Sequence, residues 1–336
     1  MKRGLIEWDH AELPPAVFER RAALARDYMR QQGLDGLAAF SSMAQADVVR
    51  YFTHFLPYFN RAVYVLPREG EPILLCGLSN RVHGWIRSTT NISNIEASRD
   101  LGASAARAIA ERGMKRVGLL GRGTFPVQIL SSLARGAEGV ELVSADDLLA
   151  SLRWGEDEDE LRLRRKAGAL TARSIAEVEL RQGLTAGEFA AYVDRTLRLA
   201  AAEDVLLQID SSRGWPGIPG TAPLGWPARI LAQAEYKGHW VQIGRTRPGP
   251  AVPDWYRQLI NRIRPDQSVA SVVGDASDLD VRIYASRGGS PFTAMDLDET
   301  IEPGLIVAIM ALRESVELAG DTFAVRRGEL ECLTTE

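Results

Sequence analysis

The chain has 336 residues, 46% of them hydrophobic and 25% charged, which is typical of a globular protein with room for two domains. The formal net charge is −4, and no Lys/Arg cluster lies beside aromatic residues, so we expect no nucleic-acid partner. No apolar run reaches signal-peptide or membrane-spanning length, which predicts a cytoplasmic protein without membrane contact.

Residues 1–153 are predicted to form an α/β domain. Phe18, Ala25 and Met29 recur at the helical period from about residue 14, and Gly33 ends this helix. The elements that follow are a strand (GLAAF), a hairpin (RAVYVLP and ILLCG), an alanine-rich helix and a further strand (RVGLL). The glycines after RVGLL lack the GxGxxG spacing, so the sequence predicts no dinucleotide or other cofactor.

Residues 154–336 are predicted to form an α+β domain, with helices first and a curved antiparallel sheet after them. An acidic run from Glu156 to Glu160 marks the domain boundary and starts a long helix that is expected to end at Gly183. Thr185 and Glu188 have the spacing of a capping box for the next helix. Short strands follow, including VLLQID and a hairpin formed by ARILAQAEY and HWVQIGRT.

The segment 301–335 (IEPGLIVAIMALRESVELAGDTFAVRRGELECLTT) reads as two buried strands joined by a turn and closed by a hairpin. It resembles the C-terminal signature of the creatinase, aminopeptidase P and prolidase family, whose members have the pita-bread fold. Matches lie at Glu302, Pro303, Gly304, Asp321, Thr322, Leu333 and Thr334. Earlier segments resemble the same family in the same order: residues 18–37, the GLT at 183–185, and YKGHWVQIGRT at 236–246.

The resemblance implies where the metal ligands of the metal-dependent members would lie. The two glutamates correspond to Met310 and Gly320, and the aspartates to Gln242 and to a residue near Leu231. The histidine corresponds to about Val281, in a region that is shorter here than in the family. Because these residues lack competent ligand atoms apart from the Gln242 amide, the sequence predicts no metal and no metallopeptidase activity.

Creatinase is the family's precedent for catalysis without a metal ion. Its FGR motif resembles Phe59, Asn60 and Arg61, which implies that Arg61 grips a substrate carboxylate in the neighbouring subunit of a homodimer. The alternative is that Arg61 caps a strand edge. The catalytic glutamate of creatinase corresponds to Gly244, so that part of its machinery does not carry over.

The remaining candidates for acid and base chemistry are Asp210, Glu235 and His239. Asp210 precedes a loop with Arg213 and Trp215, and could serve as a base or simply cap a turn. His239 alternates with Trp240 and Gln242, so it points away from them unless a bulge intervenes. Candidate substrate contacts are Phe59, Arg61, Arg213, Trp215, Trp240, Gln242, Arg282, Tyr284 and Met310.

Two functions remain open on this sequence. The first is a metal-independent, creatinase-like enzyme, a hydrolase or lyase that cleaves a C–N or related bond in a small carboxylate-bearing, amino-acid-like substrate. The second is an inactive pita-bread protein whose apolar groove binds a peptide or protein, since Leu231, Val281 and Met310 would replace charged ligands. The resemblance implies a homodimer in either case.

Overall fold

The computed structural model describes residues 8–57, 60–153, 157–181, 183–210, 214–276, 278–287 and 289–334. The chain divides into two compact units, Lys2–Arg153 and Trp154–Glu336. Among the described residues, no helix is long and apolar enough to cross a membrane.

The N-terminal unit is an α/β domain with a mixed sheet. Its helices are α1 (Pro15–Gln32), α2 (Asp47–Thr53), α3 (His83–Thr89), α4 (Leu101–Glu111), α5 (Val127–Gly136) and α6 (Asp146–Arg153). Its strands are β1 (Gly36–Ser42), β2 (Arg61–Pro67), β3 (Ile73–Cys76), β4 (Ile95–Ala97), β5 (Arg116–Leu120) and β6 (Glu141–Ser144). The order across the sheet is β4-β3-β2-β1-β5-β6, and β2 is antiparallel to both of its neighbours.

Side chains of successive strand residues point to opposite faces of this sheet, so a hydrophobic layer forms on each face. Ala39 and Tyr64 pack with the buried faces of α1 and α2, whereas Ala38 and Val63 pack with α4 and α5. The helix predicted from residue 14 is α1, and Gly33 ends it in the left-handed conformation at φ 64°. The predicted hairpin is the antiparallel pair β2 and β3.

The C-terminal unit places its long helices before a curled antiparallel sheet, as predicted. Its helices are α7 (Glu158–Glu177), α8 (Ala186–Leu199), α9 (Asp254–Ile260) and α10 (Val269–Asp275). Its strands are β7 (Asp204–Asp210), β8 (Ala228–Tyr236), β9 (His239–Arg247), β10 (Leu279–Ser286), β11 (Thr293–Ala294), β12 (Ile306–Arg313), β13 (Glu317–Val325) and β14 (Leu330–Cys332). The strand order is β11-β10-β12-β13-β9-β8-β7, and β14 pairs with β13.

Two features at the start of this unit test the expected helix boundaries. The capping box forms as predicted: the Glu188 N–H donates to Thr185 Oγ1 at 3.2 Å, and the Thr185 N–H donates to Glu188 Oε2 at 2.8 Å. The expected end of α7 at Gly183 is wrong, because the helix ends at Glu177. Val178 takes an extended backbone conformation and packs into the core with α8, which stops the helix earlier.

The two faces of the C-terminal sheet carry different side chains. Ile230, Ile243 and Ile309 pack with the helices α8, α9 and α10 on what we call the opposite face. Leu231, Trp240 and Met310 lie together on the other face, with Leu318 and Ala308. We call this second face the site face, since it carries five of the residues predicted for substrate binding: Trp240, Gln242, Arg282, Tyr284 and Met310.

Candidate functional site

One row of directly paired residues crosses the site face. Leu231 pairs with Gly244, Gly244 with Gly320, Gly320 with Met310, and Met310 with Arg282. Directly paired residues of antiparallel strands project to the same face of a sheet. The β8, β9, β13, β12 and β10 strands therefore present five side-chain positions at one level, of which two are glycine.

The Met310 side chain fills the middle of this row. A Cβ built on Gly320 would lie 2.1 Å from Met310 Sδ, and one built on Gly244 would lie 3.1 Å from the same atom. Met310 is fully buried, and thioether side chains adapt well to irregular spaces. The two glycines therefore make room for the methionine, and no larger side chain fits at 320 while Met310 keeps this position.

The next row along the strands contains buried polar groups. Gln242 pairs with Gln233 and is 0% exposed, and its Oε1 and Nε2 have no hydrogen-bond partner in the described part of the chain. Its backbone is fixed by Thr322, whose Oγ1 accepts from the Gln242 N–H at 2.8 Å and donates to the Gln242 carbonyl at 2.9 Å. An unsatisfied buried amide costs about 1–3 kcal/mol, so this side chain is poised to bind a polar group.

Trp240 adds a further buried polar atom to β9, two residues before Gln242. Its indole Nε1 is also buried and has no partner within the described ranges. The fully buried Arg164, from α7, donates to the Trp240 carbonyl oxygen, and its Nη2 donates to Ser286 Oγ at 3.2 Å. Arg164 thus joins β9 to β10 at one end of the site face.

A cationic and aromatic cluster lies at the β10 end of the site face. The Arg282 guanidinium stacks on the Trp215 ring with its Cζ 4.2 Å from the ring centroid. Trp215 Nε1 donates to Asp280 Oδ2 at 2.5 Å, which orients the ring. Tyr284 follows on the same face of β10 and packs with Trp215 against the Met310 cluster.

A buried ion pair lies on the opposite face, behind the glycine row. Arg245 Nη2 donates to Asp321 Oδ1 at 2.7 Å, and Thr334 Oγ1 donates to the same oxygen at 2.6 Å. Burial raises the pKa of Asp321, while Arg245 and Thr334 act in the opposite direction. This pair joins β9 to β13, so we interpret Arg245 and Asp321 as structural residues.

A comparison with protein families finds a match in the N-terminal unit. The profile of the Creatinase/Prolidase N-terminal domain matches residues 21–154. This part of the chain is therefore similar to that domain, as the resemblance implied.

Solved structures of the family share the fold over almost the whole chain at low sequence identity. The prolidase from Pyrococcus horikoshii OT3 has a TM-score of 0.71 at 14% identity, covering 94% of this chain and 98% of its own. The X-Pro aminopeptidase from Thermotoga maritima MSB8 gives 0.72 at 14%, covering 90% and 96%. The dipeptidase PepE from Mycobacterium ulcerans gives 0.67 at 19%, covering 96% and 97%. No curated protein sequence matches the chain.

The residues at the metal-ligand positions that the resemblance implies do not fit a pair of divalent ions. Met310 and Gly320 offer no carboxylate, Leu231 offers no polar atom, and Gln242 offers only an amide. Within the described ranges, no group of three His, Cys, Asp or Glu residues is arranged to hold a metal. The thioether of Met310 occupies the space that a carboxylate from position 320 would need.

Two sequence predictions about this site are wrong, because alternate residues of a strand point to opposite faces of the sheet. Val281 packs on the opposite face with Ile283 and Ala311, so it does not belong to the site. Its neighbour Arg282 lies on the site face instead, paired with Met310. His239 alternates with Trp240 and pairs with Tyr236, on the strand face that carries Ile243. No bulge turns His239 toward Gln242, so it is withdrawn as a catalytic candidate.

The other predicted residues lie in different places: one on the site face, one in the N-terminal unit, and three with side chains outside the described structure. Glu235 pairs with Trp240 and is 2% exposed, so it belongs to the site face. Asp210 ends β7 opposite Arg229, but its side chain lies outside the described structure, as do Phe59 and Arg213. Arg61 begins β2 in the N-terminal unit, with an exposed side chain and an N–H that donates to Asn60 Oδ1 at 2.8 Å.

Sequence reasoning missed Arg164, although a signal for it exists. Arg164 follows Glu160 by four residues and precedes Gly168 by four, so the three share one face of α7. Gly168 allows close approach, because a Cβ there would lie 2.0 Å from the Leu333 carbonyl oxygen. A glycine on a helix face with charged residues at this spacing is a sign of a buried contact that hydrophobic periodicity does not detect.

Proposed function

We propose that the chain is a metal-independent enzyme that cleaves a C–N bond in a small, carboxylate-bearing, amino-acid-like substrate on the site face. The observation that carries this proposal is the Arg282 guanidinium stacked on Trp215 beside Tyr284. An arginine held by an aromatic ring presents its donors in a fixed plane, which suits two-point recognition of a carboxylate.

Arg282 retains the capacity to bind an anion. Its side chain is 49% exposed, and its Nε lies 4.0 Å from Asp280 Oδ1, at the limit of an ion pair. Asp280 is already the acceptor for Trp215 Nε1. In this proposal the substrate carboxylate takes the guanidinium, while Asp280 continues to hold the ring.

The buried polar atoms in the neighbouring rows support a substrate with further hydrogen-bonding groups. The Gln242 amide offers one donor group and one acceptor, and Trp240 Nε1 offers a donor. Both residues project from β9 onto the site face, one and two rows from Arg282. In this proposal they contact the nitrogen-bearing part of the substrate.

Glu235 and Asp210 are the proposed acid and base residues. A carboxylate accepts a proton from water, the water oxygen bonds to the substrate carbon, the C–N bond breaks, and the proton passes to the leaving amine. Glu235 is supported by its place on the site face, and Asp210 only by its sequence context. The Arg61 contact to a substrate carboxylate, and the homodimer that it requires, are proposed from the family resemblance alone.

A second function is favoured by a different observation. Leu231, Met310 and Leu318 form a continuous, buried apolar cluster on the site face, which suits a binding groove better than proton chemistry. The alternative proposal is therefore a protein without catalytic activity that binds a peptide or protein segment on this face.

An assay of amine release from N-substituted amino acids, with and without a chelator, tests the enzyme proposal. We expect turnover that the chelator leaves unchanged and that Arg282→Ala lowers by at least tenfold, since one charge-assisted contact is worth about 1.5–3 kcal/mol. Arg313→Ala is the matched control, because Arg313 is similarly exposed at the end of β12. Turnover that depends on added Mn²⁺ would refute the proposal, and thermal stabilisation by peptides alone would favour the binding protein.

A further inference from the structure

The N-terminal unit contains a cleft of which the proposed function uses only Arg61. It has a volume of 780 Å³ and lies at the sheet edge where β1 and β3 end and β2 begins, lined there by Ser42, Gly77 and Asn60. The start of α4 and one side of α5 form the other wall. A volume in this range suits a small-molecule ligand, for which pockets of about 300–1,000 Å³ are usual.

The charge in this cleft is strongly unbalanced. Three arginines line it, Arg61, Arg99 and Arg135, against one acidic residue, Asp100. All three arginine residues are exposed, and no ion pair of the described structure engages Arg61 or Arg99. The lining thus carries a net formal charge of +2, from three positive groups and one negative group, and guanidinium groups keep their charge at any working pH.

Asp100 is engaged within its own wall. Its Oδ1 accepts from the Ala103 N–H at 3.0 Å as the N-cap of α4, and its Oδ2 accepts from Ser132 Oγ at 2.7 Å. These hydrogen bonds hold the pKa of Asp100 below its usual value, with a smaller contribution from the charge of Arg135. The carboxylate therefore ties α4 to α5 and leaves the arginines available to a ligand.

The floor of the cleft is shaped around a polar side chain. A Cβ built on Gly77 would lie 2.1 Å from Asn60 Oδ1, so glycine is needed for Asn60 to lie where it does. Asn60 Oδ1 accepts from the Arg61 N–H, and Nδ2 of the same amide is a hydrogen-bond donor. The described lining contains no aromatic ring.

From these observations we infer that this cleft binds a small polyanion through Arg61, Arg99 and Arg135. Phosphate esters and polycarboxylates share the chemistry that three guanidinium groups and an amide donor recognise. The described lining of this site lies within the N-terminal unit. The site shares Arg61 with the proposed function, so the test below relies on Arg99 and Arg135 instead.

Calorimetric titration of the full chain with inorganic pyrophosphate and with citrate, at low and at physiological salt, tests this inference. We expect saturable binding of at least one probe with one site per chain, and the tighter probe identifies a phosphate or a carboxylate ligand. The double variant Arg99→Gln/Arg135→Gln should weaken this binding at least tenfold. Arg61 is left unchanged, because the proposed function also uses it.

The matched control is Arg81→Gln/Arg122→Gln, which removes the same charge from exposed positions of the same unit outside the cleft. This control should bind pyrophosphate and citrate as the unaltered chain does. Arg282→Ala should also leave binding in the cleft unchanged, so failure of this inference can be distinguished from failure of the proposed function. All substituted side chains are exposed, and melting temperatures equal to that of the unaltered chain establish that the variants fold. Absence of saturable binding for both probes, or equal weakening by the two double variants, would overturn the inference.

Discussion

Met310 and Gly320 are directly opposed in the sheet, and each depends on the other. The Met310 thioether lies where the Cβ of a side chain at position 320 would be. The methionine therefore requires glycine as its partner. Sequence motifs alone locate both residues, because the flanking Pro303, Asp321 and Thr322 fix the alignment to the family signature. That Met310 physically fills the row, however, depends on side-chain contacts that a motif does not contain.

Gly320→Ala is expected to lower the free energy of unfolding by about 1–3 kcal/mol, because the added methyl group overlaps Met310. Met310→Ala alone is expected to cost about 2–5 kcal/mol through the cavity it leaves. The double variant should be more stable than the sum of the two effects predicts, since the methyl group enters that cavity. Urea unfolding followed by tryptophan fluorescence measures all three. Gly274→Ala, in α10 with open space around it, is the control, and a neutral Gly320→Ala would contradict the packing.

The buried pair of Arg245 and Asp321 leads to a prediction about pH. Arg245→Met leaves the carboxyl buried without its cation, which costs about 3–5 kcal/mol near neutral pH. Burial raises the pKa of Asp321, and loss of Arg245 raises it further, so the folded variant binds a proton more tightly than the unfolded chain. Its stability should therefore fall as pH rises from about 4, the unfolded pKa, towards the raised folded pKa.

Unfolding of Arg245→Met at a series of pH values measures this effect. Arg257→Met, which removes an exposed pair with Asp254 on α9, should change stability by less than about 1 kcal/mol at every pH. A loss for Arg245→Met that grows as the pH is lowered would contradict the direction assigned here.

At the scale of elements, the start of α8 was predictable from sequence and the end of α7 was not. Thr185 and Glu188 form a local motif whose hydrogen bonds involve only residues three apart, so spacing is sufficient. The end of α7 depends on where Val178 is buried against α8, which is a tertiary contact. The same distinction explains Val281: its strand face is set by pairing with β12, and the shortened region before it gave no local register signal.

Thr185→Ala should lower the free energy of unfolding by about 1 kcal/mol, because α8 loses the side-chain acceptor for the Glu188 N–H. Thr196→Ala on the exposed side of the same helix should have a smaller effect, within about 0.5 kcal/mol. Thermal unfolding of both variants gives the comparison. Equal effects would mean that the capping box adds nothing to stability.

For the whole molecule, the order of elements and a few motifs were enough to predict the fold class. Solved relatives at 14% identity still superpose with a TM-score of 0.71, so the fold tolerates replacement of nearly all of its residues. The candidate site was predictable only in outline. The resemblance implies which positions would hold the family's ligands. The stacking of Arg282 on Trp215 and the unsatisfied Gln242 amide arise where segments distant in sequence meet.

We propose that the site face recognises a small carboxylate through Arg282 and carries packed and amide side chains where metal-dependent enzymes of this fold carry ligands. Calorimetric titration of the chelator-treated chain, with Mn²⁺ and separately with N-substituted amino acids, tests both parts of this proposal. We expect no saturable Mn²⁺ binding, and carboxylate binding that Arg282→Ala abolishes and Arg313→Ala preserves. Stoichiometric Mn²⁺ binding that is lost in Gln242→Ala would contradict it.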